Sequence, residues 1–188
     1  MIHKLGETPG IETFEERKVL YRGRILTLAV DRVRLPSGAP RDREVVTHAP
    51  AAAVLPLPDE RTVLLIRQYR HPARQVLWEI PAGLVEEGES PEETAARELQ
   101  EETGFAARRW ETGPRFFTSP GFSDEVIHLF VARDLTPSPL PGDEDEWIAP
   151  VAVPVQDLEQ MIRSGAFVDG KTLLALSWYL GQCRTREG

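Results

Sequence analysis

GLVEEGESPEETAARELQEETGF, residues 83–105, is the stretch around which the rest of this 188-residue chain can be read. Ser90 precedes Pro91 and has Glu93 three positions after it, a capping box, and Gly104 is a stop, so the spacing predicts a helix over 90–103. Within it Glu98, Glu101 and Glu102 recur at i, i+3 and i+4, which puts three carboxylates inside about 100° of arc. Ala95, Ala96 and Leu99 occupy the neighbouring arc and are expected to pack on a sheet. Taken alone, such a glutamate cluster usually marks a solvated face. The preceding segment alters the reading: Val76–Ile80 reads as a strand, Ala82-Gly83 as a tight turn after it, and Gly88 as a second bend. The helix then returns its acidic face toward the turn. A backbone carbonyl and several carboxylates converging from loop and helix make an all-oxygen site, suited to magnesium or manganese rather than zinc.

The charge distribution repeats this emphasis. The chain has 22 Lys plus Arg against 30 Asp plus Glu, a net charge of −8. Residues 83–105 carry eight glutamates and a single base, Arg97, and Asp143, Glu144, Asp145 and Glu146 form a second acidic focus. What remains is mildly basic. Like charges so closely spaced repel unless a cation sits among them, so each focus is either a solvated face or a metal holder. The overall balance argues against a general nucleic-acid binder or an anionic-membrane binder. The lone Cys183 permits neither an internal disulfide nor a thiolate zinc cage and suits a reducing compartment. The acidic start (Glu7, Glu12, Glu15, Glu16) and the lack of any long apolar run lead us to expect a soluble, cytoplasmic protein.

Working outward, 1–17 shows no periodicity and reads as a loose arm. Lys18–Tyr21, Ile25–Leu35 and Arg43–His48 have strand patterns, the last two joined by turn chemistry at Pro36-Ser37-Gly38. Such a β module is too thin to be stable alone, so we divide the chain into a front arm and module, 1–48, and a main domain, 49–188. In the latter, Ala51–Leu57 and Thr62–Arg67 read as buried strands joined in a hairpin by Pro58-Asp59-Glu60. Val126–Ala132 and Trp147–Val155 read as further strands, and Gln156–Ser164 and Lys171–Leu180 as helices bordered by Gly165 and Gly170. The expected fold is an α/β sandwich of mixed sheet.

Residues 83–105 resemble the Nudix box, G-x5-E-x7-R-E-U-x-E-E-x-G-U with U apolar, at every defined position: Gly83, Glu89, Arg97, Glu98, Leu99, Glu101, Glu102, Gly104 and Phe105. The resemblance implies a Nudix-type α/β/α sandwich that hydrolyses a nucleoside diphosphate linked to another group. It also implies that Glu98, Glu102 and the carbonyl of Ala82 hold metal, with Glu101 as a third ligand or a bridge through water. Arg97 would orient this cluster and Glu89 brace the loop. The implied cofactor is Mg2+, with Mn2+ or another divalent ion as the alternative, at two or three ions per site.

Three further segments are similar to the ADP-ribose pyrophosphatase branch: Leu64–Arg70, Trp78–Gly83, and the proline at 120 with the residues up to Glu125. They imply substrate contacts at Arg70, Glu79, Pro120 and Glu125; a guanidinium suits phosphate because it stays charged and offers a fork of donors. Tyr21-Arg22-Gly23 and Arg43-Glu44-Val45 are also similar to that branch, where the β module is exchanged across a homodimer. Glu44 would then accept from the adenine amino group, and Arg24 or Arg43 would stack on the base. The catalytic base by the same resemblance is Glu144, with Glu146 second. The implied reaction is Mg-dependent hydrolysis of ADP-ribose to AMP and ribose 5-phosphate. Two alternatives stay open: another nucleoside diphosphate sugar such as GDP-mannose or ADP-glucose, and a nucleotide-sensing module without turnover, against which the intact Glu98, Glu101 and Glu102 argue. His3, His48, His71 and His128 show no ligand spacing, and 143–146 lacks the glycine and terminal glutamate of an EF-hand.

Overall fold

The computed structural model describes residues 10–142 and 147–186, with side chains to 184. It divides into two compact units: the chain up to Ala49 together with Ser119–Glu125, and Pro50–Thr118 together with Val126 onward.

The first unit is an antiparallel sheet of β1 (Thr13–Arg22), β2 (Leu26–Arg34) and β3 (Pro40–His48), in that order. The first strand begins at Thr13, inside the stretch expected to be a loose arm. Its residues TFEERKVLYR are mostly exposed, and its alternation is masked by charges, so the pattern carried little signal. The middle strand supplies the buried side chains, Ala29, Asp31 and Val33. Asp31 is satisfied by Arg17 from β1 through two 2.7 Å bonds, which hold its carboxyl below the usual range despite burial. Ser119–Glu125 joins this unit through backbone bonds: Val46 N–H donates to Phe122 O (2.8 Å) and Asp124 N–H to Val46 O (3.3 Å). A single division at residue 48 does not anticipate that contribution from so far along the chain.

The second unit contains two sheets. One is mixed, in the order β7-β4-β9-β8, from β4 (Ala51–Leu57), β7 (Ala82–Leu84), β8 (Phe105–Phe117) and β9 (Val126–Pro137), with β4 parallel to β9. The other is antiparallel, β10-β5-β6, from β5 (Thr62–Arg70), β6 (Gln75–Glu79) and β10 (Ile148–Pro154). Three helices complete it: α1 (Pro91–Thr103), α2 (Val155–Arg163) and α3 (Gly170–Arg186). The unbroken apolar run at 51–57 follows from burial of β4 along its whole length. Alternate side chains of β4 and β9 feed two cores. Ala52, Val54, Phe130 and Ala132 meet Ala95 and Leu99 of α1. Ala53, Leu55, Leu129 and Val131 meet Val63 and Leu65 of β5 with Leu158, Leu176 and Tyr179 from α2 and α3. This is the α/β sandwich with mixed sheet that the pattern predicted.

Two expectations are corrected, and one strand is an element the pattern did not foresee. Ala51–Leu57 and Thr62–Arg67 are not a hairpin: β4 and β5 belong to different sheets, and the short link is a local turn in which Arg61 N–H donates to Asp59 Oδ1 at 2.7 Å. Two apolar runs with a short link between them read the same whether they pair in a hairpin or belong to two stacked sheets. Phe105–Phe117 is a long edge strand with a register break between Thr112 and Arg115. Its Arg108-Arg109 and Gly113-Pro114 hid it, since edge strands tolerate charge, glycine and proline. On α1, Thr94 and Thr103 take inward places and Ala96 is only half-buried.

The α1 capping box is formed as read: Ser90 Oγ accepts from Glu93 N–H (3.3 Å) and Ser90 N–H donates to Glu93 Oε2 (2.8 Å). Gly104, at φ 77°, ends the helix in the left-handed region. Ser90→Ala should lower the unfolding free energy by about 1 kcal/mol, and Leu99→Ala, in a fully buried position, by about 2–5 kcal/mol. Urea titrations with unchanged slope are the check.

Candidate active site

The acidic face of α1 is not a solvated face. Glu98 and Glu102 are among its buried residues, and Glu101 is half-buried. Their depth comes from β7, which pairs with β4 through Ala53–Ala82 and Ala52–Gly83 and thereby lies against α1. Ala82-Gly83 is thus a short strand where a tight turn was expected. Ala82 N–H donates to Glu102 Oε2 at 2.9 Å. At Gly83 a Cβ would stand 1.8 Å from Glu98 Oε1, so no other residue allows the carboxylate to approach this closely.

Arg97 gathers the rest. Its Nη1 donates to Glu98 Oε1 (2.7 Å) and Glu101 Oε2 (2.9 Å). Its Nε and Nη2 meet Glu89 Oε1 and Oε2 (3.0 and 3.1 Å), and Nη2 also meets Leu84 O at 3.2 Å. Thr94 Oγ1 donates to Glu89 as well, at 2.8 Å. The Arg97 guanidinium and then the Thr94 hydroxyl hold the Glu89 carboxyl at about 2, and Glu89 in turn pushes Arg97 upward. Glu89 therefore ties the loop before α1 to the helix.

Glu89, Glu98 and Glu101 share the Arg97 guanidinium and Glu102 meets the Ala82 amide, so acidic side chains crowd a partly buried place, where cations are stabilising. The donors are all oxygens, which fits a hard divalent ion. Among the described residues, no three acidic, histidine or cysteine side chains already converge on one point. The site thus has the donor chemistry without a closed cage.

Arg70 and Glu79 form a second group in this unit. Arg70 Nε and Nη2 donate to the two oxygens of Glu79, both at 2.8 Å. Glu79 is 1% exposed and is also met by Lys171 Nζ. Burial, the largest influence, pushes the Glu79 carboxyl up, but Arg70 and Lys171 together outweigh it and hold it low. Sequence reading missed Lys171, along with Asp169 and Thr172 beside it. The only signal was Asp169 three residues before Thr172 at a helix start, a capping pattern.

The remaining expected residues lie in the first unit or outside the described residues. Arg24 is exposed between β1 and β2; Arg43 pairs with Glu12; Glu44 is exposed opposite Val30. Pro120 is exposed, and Glu125 Oε1 lies 3.4 Å from His48 Nδ1. Glu144 and Glu146 fall outside the described residues.

A family model described as the NUDIX domain matches residues 47–175. The chain belongs to the Nudix family. A second model, the nucleoside diphosphate sugar hydrolase N-terminal domain, matches residues 12–46, the β module in front of this Nudix domain. The chain is 37% identical over 174 residues to the ADP-ribose pyrophosphatase of Bacillus subtilis, covering 89% of this chain and 94% of that one. It is 39% identical over 171 residues to the methanol dehydrogenase activator of Bacillus methanolicus, covering 88% and 92%. A crystal structure of an ADP compounds hydrolase superposes with a TM-score of 0.83 at 26% identity, covering 94% and 98%.

The depressed Glu89 carboxyl fixes the sign of a pH effect. Because its folded value lies below its ordinary one, the Glu89–Arg97 pair contributes fully above about 4.5 and is lost as pH falls toward about 2. Glu89→Gln should be less stable than the parent at neutral pH, and the gap should close across that window. Urea midpoints measured as a function of pH test this, a constant gap being the contrary result.

Proposed function

We propose that this protein hydrolyses the pyrophosphate bond of ADP-ribose, giving AMP and ribose 5-phosphate, with Mg2+ as its cofactor. The observation that carries the reading is the cluster of buried Glu98 and Glu102 with half-buried Glu101 against Ala82-Gly83, gathered by Arg97 and the Ala82 amide. Support for the substrate comes from the full-length likeness to a named ADP-ribose pyrophosphatase and from the nucleoside diphosphate sugar hydrolase module in front.

Nudix hydrolases use divalent cations, and Glu98, Glu101, Glu102 and the carbonyl of Ala82 are the groups that would hold them here. When bound, such ions neutralise the diphosphate and lower the pKa of the attacking water. The chain's own residues do the rest. Arg97 fixes the rotamers of Glu98 and Glu101. Arg70, whose Nε and Nη2 are anchored by Glu79 and whose side chain is still 38% exposed, turns its other edge, with Nη1, to a phosphate oxygen. Glu144 takes the proton from water, with Glu146 as the second candidate. We assign the adenosine half of the substrate to Glu44, Arg24 and Arg43, with Pro120 and Glu125 in the following loop.

We further propose that the β module is exchanged in a homodimer. Its support is the module's poverty of buried side chains alongside exposed Ile11, Phe14, Leu20, Tyr21 and Ile25, an amount of apolar surface that a lone three-stranded sheet cannot hide. A cytoplasmic location accords with the free thiol of Cys183, and no helix of the described residues is long and apolar enough to cross a membrane.

The test is a panel of ADP-ribose, ADP-glucose and GDP-mannose at equal concentration with products resolved by chromatography; preference for either of the latter, or no turnover of any, overturns the assignment. Glu98→Gln and Glu102→Gln should each lower kcat by at least ~100-fold, since each removes an anionic ligand from ions that supply several kcal/mol at the transition state. The helix should persist by circular dichroism, because glutamine forms helix as readily. Glu144→Gln should reduce kcat strongly while KM stays within a few-fold; full kcat in both Glu144→Gln and Glu146→Gln would place the base elsewhere. Light scattering at micromolar concentration should report a dimer.

A further inference from the structure

Glu79 closes β6, three residues before Ala82. Its carboxylate is 1% exposed, and the same Oε2 that accepts from Arg70 Nη2 also accepts from Lys171 Nζ. Lys171 lies 92 residues further along the chain, at the start of α3. Its side chain is 10% exposed, and Nζ lies 3.2 Å from Asp169 Oδ2. Asp169 is itself held: its Oδ2 accepts from Thr172 N–H at 3.0 Å and Thr172 Oγ1 at 2.6 Å. Thr172, fully buried, returns the connection to the strand, its Oγ1 accepting from Ile80 N–H at 2.9 Å. The start of α3 is thereby bonded to two consecutive residues, Glu79 and Ile80, immediately ahead of Pro81-Ala82-Gly83.

Two cations and two anions meet in this ring, so it is neutral overall. A buried ion network of this kind is a weak source of net stability, since apolar groups of similar shape often do as well. What it does set is placement. Arg70 reaches Glu79 in the planar, two-bond geometry that leaves a guanidinium little freedom. That geometry requires Glu79 to stay ionised although almost no solvent reaches it. One guanidinium that is itself part exposed is a poor counter-ion for such a carboxylate; a second cation held beside it by Asp169 completes the neutralisation.

We propose that Lys171 is a positioning residue for the diphosphate: held by Asp169, it keeps the Glu79 carboxylate ionised and in place, and Glu79 in turn aims the Arg70 guanidinium at the substrate. This rests on the reading above that Arg70 contacts the diphosphate. Lys171 does not touch substrate, and its effect passes wholly through Arg70. It should therefore appear in binding, in the ground state and transition state alike, and vanish when Arg70 is absent.

The experiment compares Lys171→Met, Lys171→Arg, Arg70→Met and the double variant Arg70→Met/Lys171→Met. Three quantities are read: KM and kcat with ADP-ribose, the Kd of ADP-ribose by calorimetry in EDTA, where no hydrolysis occurs, and the Tm. Lys171→Met should raise KM and the EDTA Kd by about tenfold while kcat stays within about threefold, the signature of lost uniform binding. Lys171→Arg should recover most of that loss. Adding Lys171→Met to Arg70→Met should change neither KM nor Kd further, a coupling as large as the single effect. A lower Tm with unchanged KM and Kd in Lys171→Met, while Arg70→Met raises both, overturns the proposal and leaves the Arg70 assignment standing. Unchanged KM and Kd in Arg70→Met overturn the Arg70 assignment and the proposal with it. Should Lys171→Met not fold, Lys171→Gln, a neutral donor, carries the same expectations; failure of both to fold makes Lys171 a residue of the fold and overturns the proposal.

Discussion

Carboxylates pressed together in a partly buried place are the constraint on which this molecule turns. Glu98 and Glu102 lie on the buried arc of α1, and a carboxylate there is tolerable only if its oxygens are met. The backbone amide of Ala82 meets one and the guanidinium of Arg97 meets another. Everything local serves that approach: the absent Cβ at Gly83, the pairing of β7 on β4, and the Glu89 and Thr94 contacts that keep Arg97 in place. A helix with this face could not lie on an ordinary sheet edge without expelling its acids to solvent.

The two halves of α1 divide the work. Ala95 and Leu99 bury hydrocarbon against Ala52, Val54, Phe130 and Ala132, which fixes the helix to the mixed sheet at a stabilisation of about 1.5–3 kcal/mol for the leucine alone. The capping box and the left-handed Gly104 set where the helix starts and stops. With its ends and apolar stripe fixed, the positions of the glutamates follow from helical geometry. The Glu79 group works by the same logic at longer range: a carboxylate almost without solvent draws Arg70 from the neighbouring strand and Lys171 from the start of α3. In both places a buried acid organises basic groups around it and a backbone segment comes with them, β7 in one case and the end of β6 in the other.

Much of this was legible beforehand, for reasons that differ by element. Helix α1 could be read because a capping box, a stop glycine and helical spacing are local signals that agree. Strands β4, β5 and β9 could be read because burial on both faces leaves an unbroken apolar run. The edge strand β8 could not, since its charges, glycine and proline are what an edge tolerates. Nor could the sheet membership of β4 and β5, because a four-residue gap serves a hairpin and a crossing between stacked sheets equally well. The glutamate trio was visible as a cluster, but its depth was not, because amphipathic spacing says which residues share a face and nothing about what covers it.

By itself, then, the sequence determined the chemistry: which carboxylates stand together, that oxygen donors would surround any metal, which arginine sits among them, and the family to which such a pattern belongs. These are consequences of short-range spacing, where 3.6 residues per turn and the rules of helix ends leave few choices. Only the tertiary structure decided how those groups are held. The closeness of Gly83 to Glu98, the attachment of Ser119–Glu125 to the N-terminal sheet, and the meeting of Glu79 with Lys171 join residues that are distant in the chain. Such meetings arise from the packing of whole elements, and no local pattern of side chains records where a strand will find its neighbour.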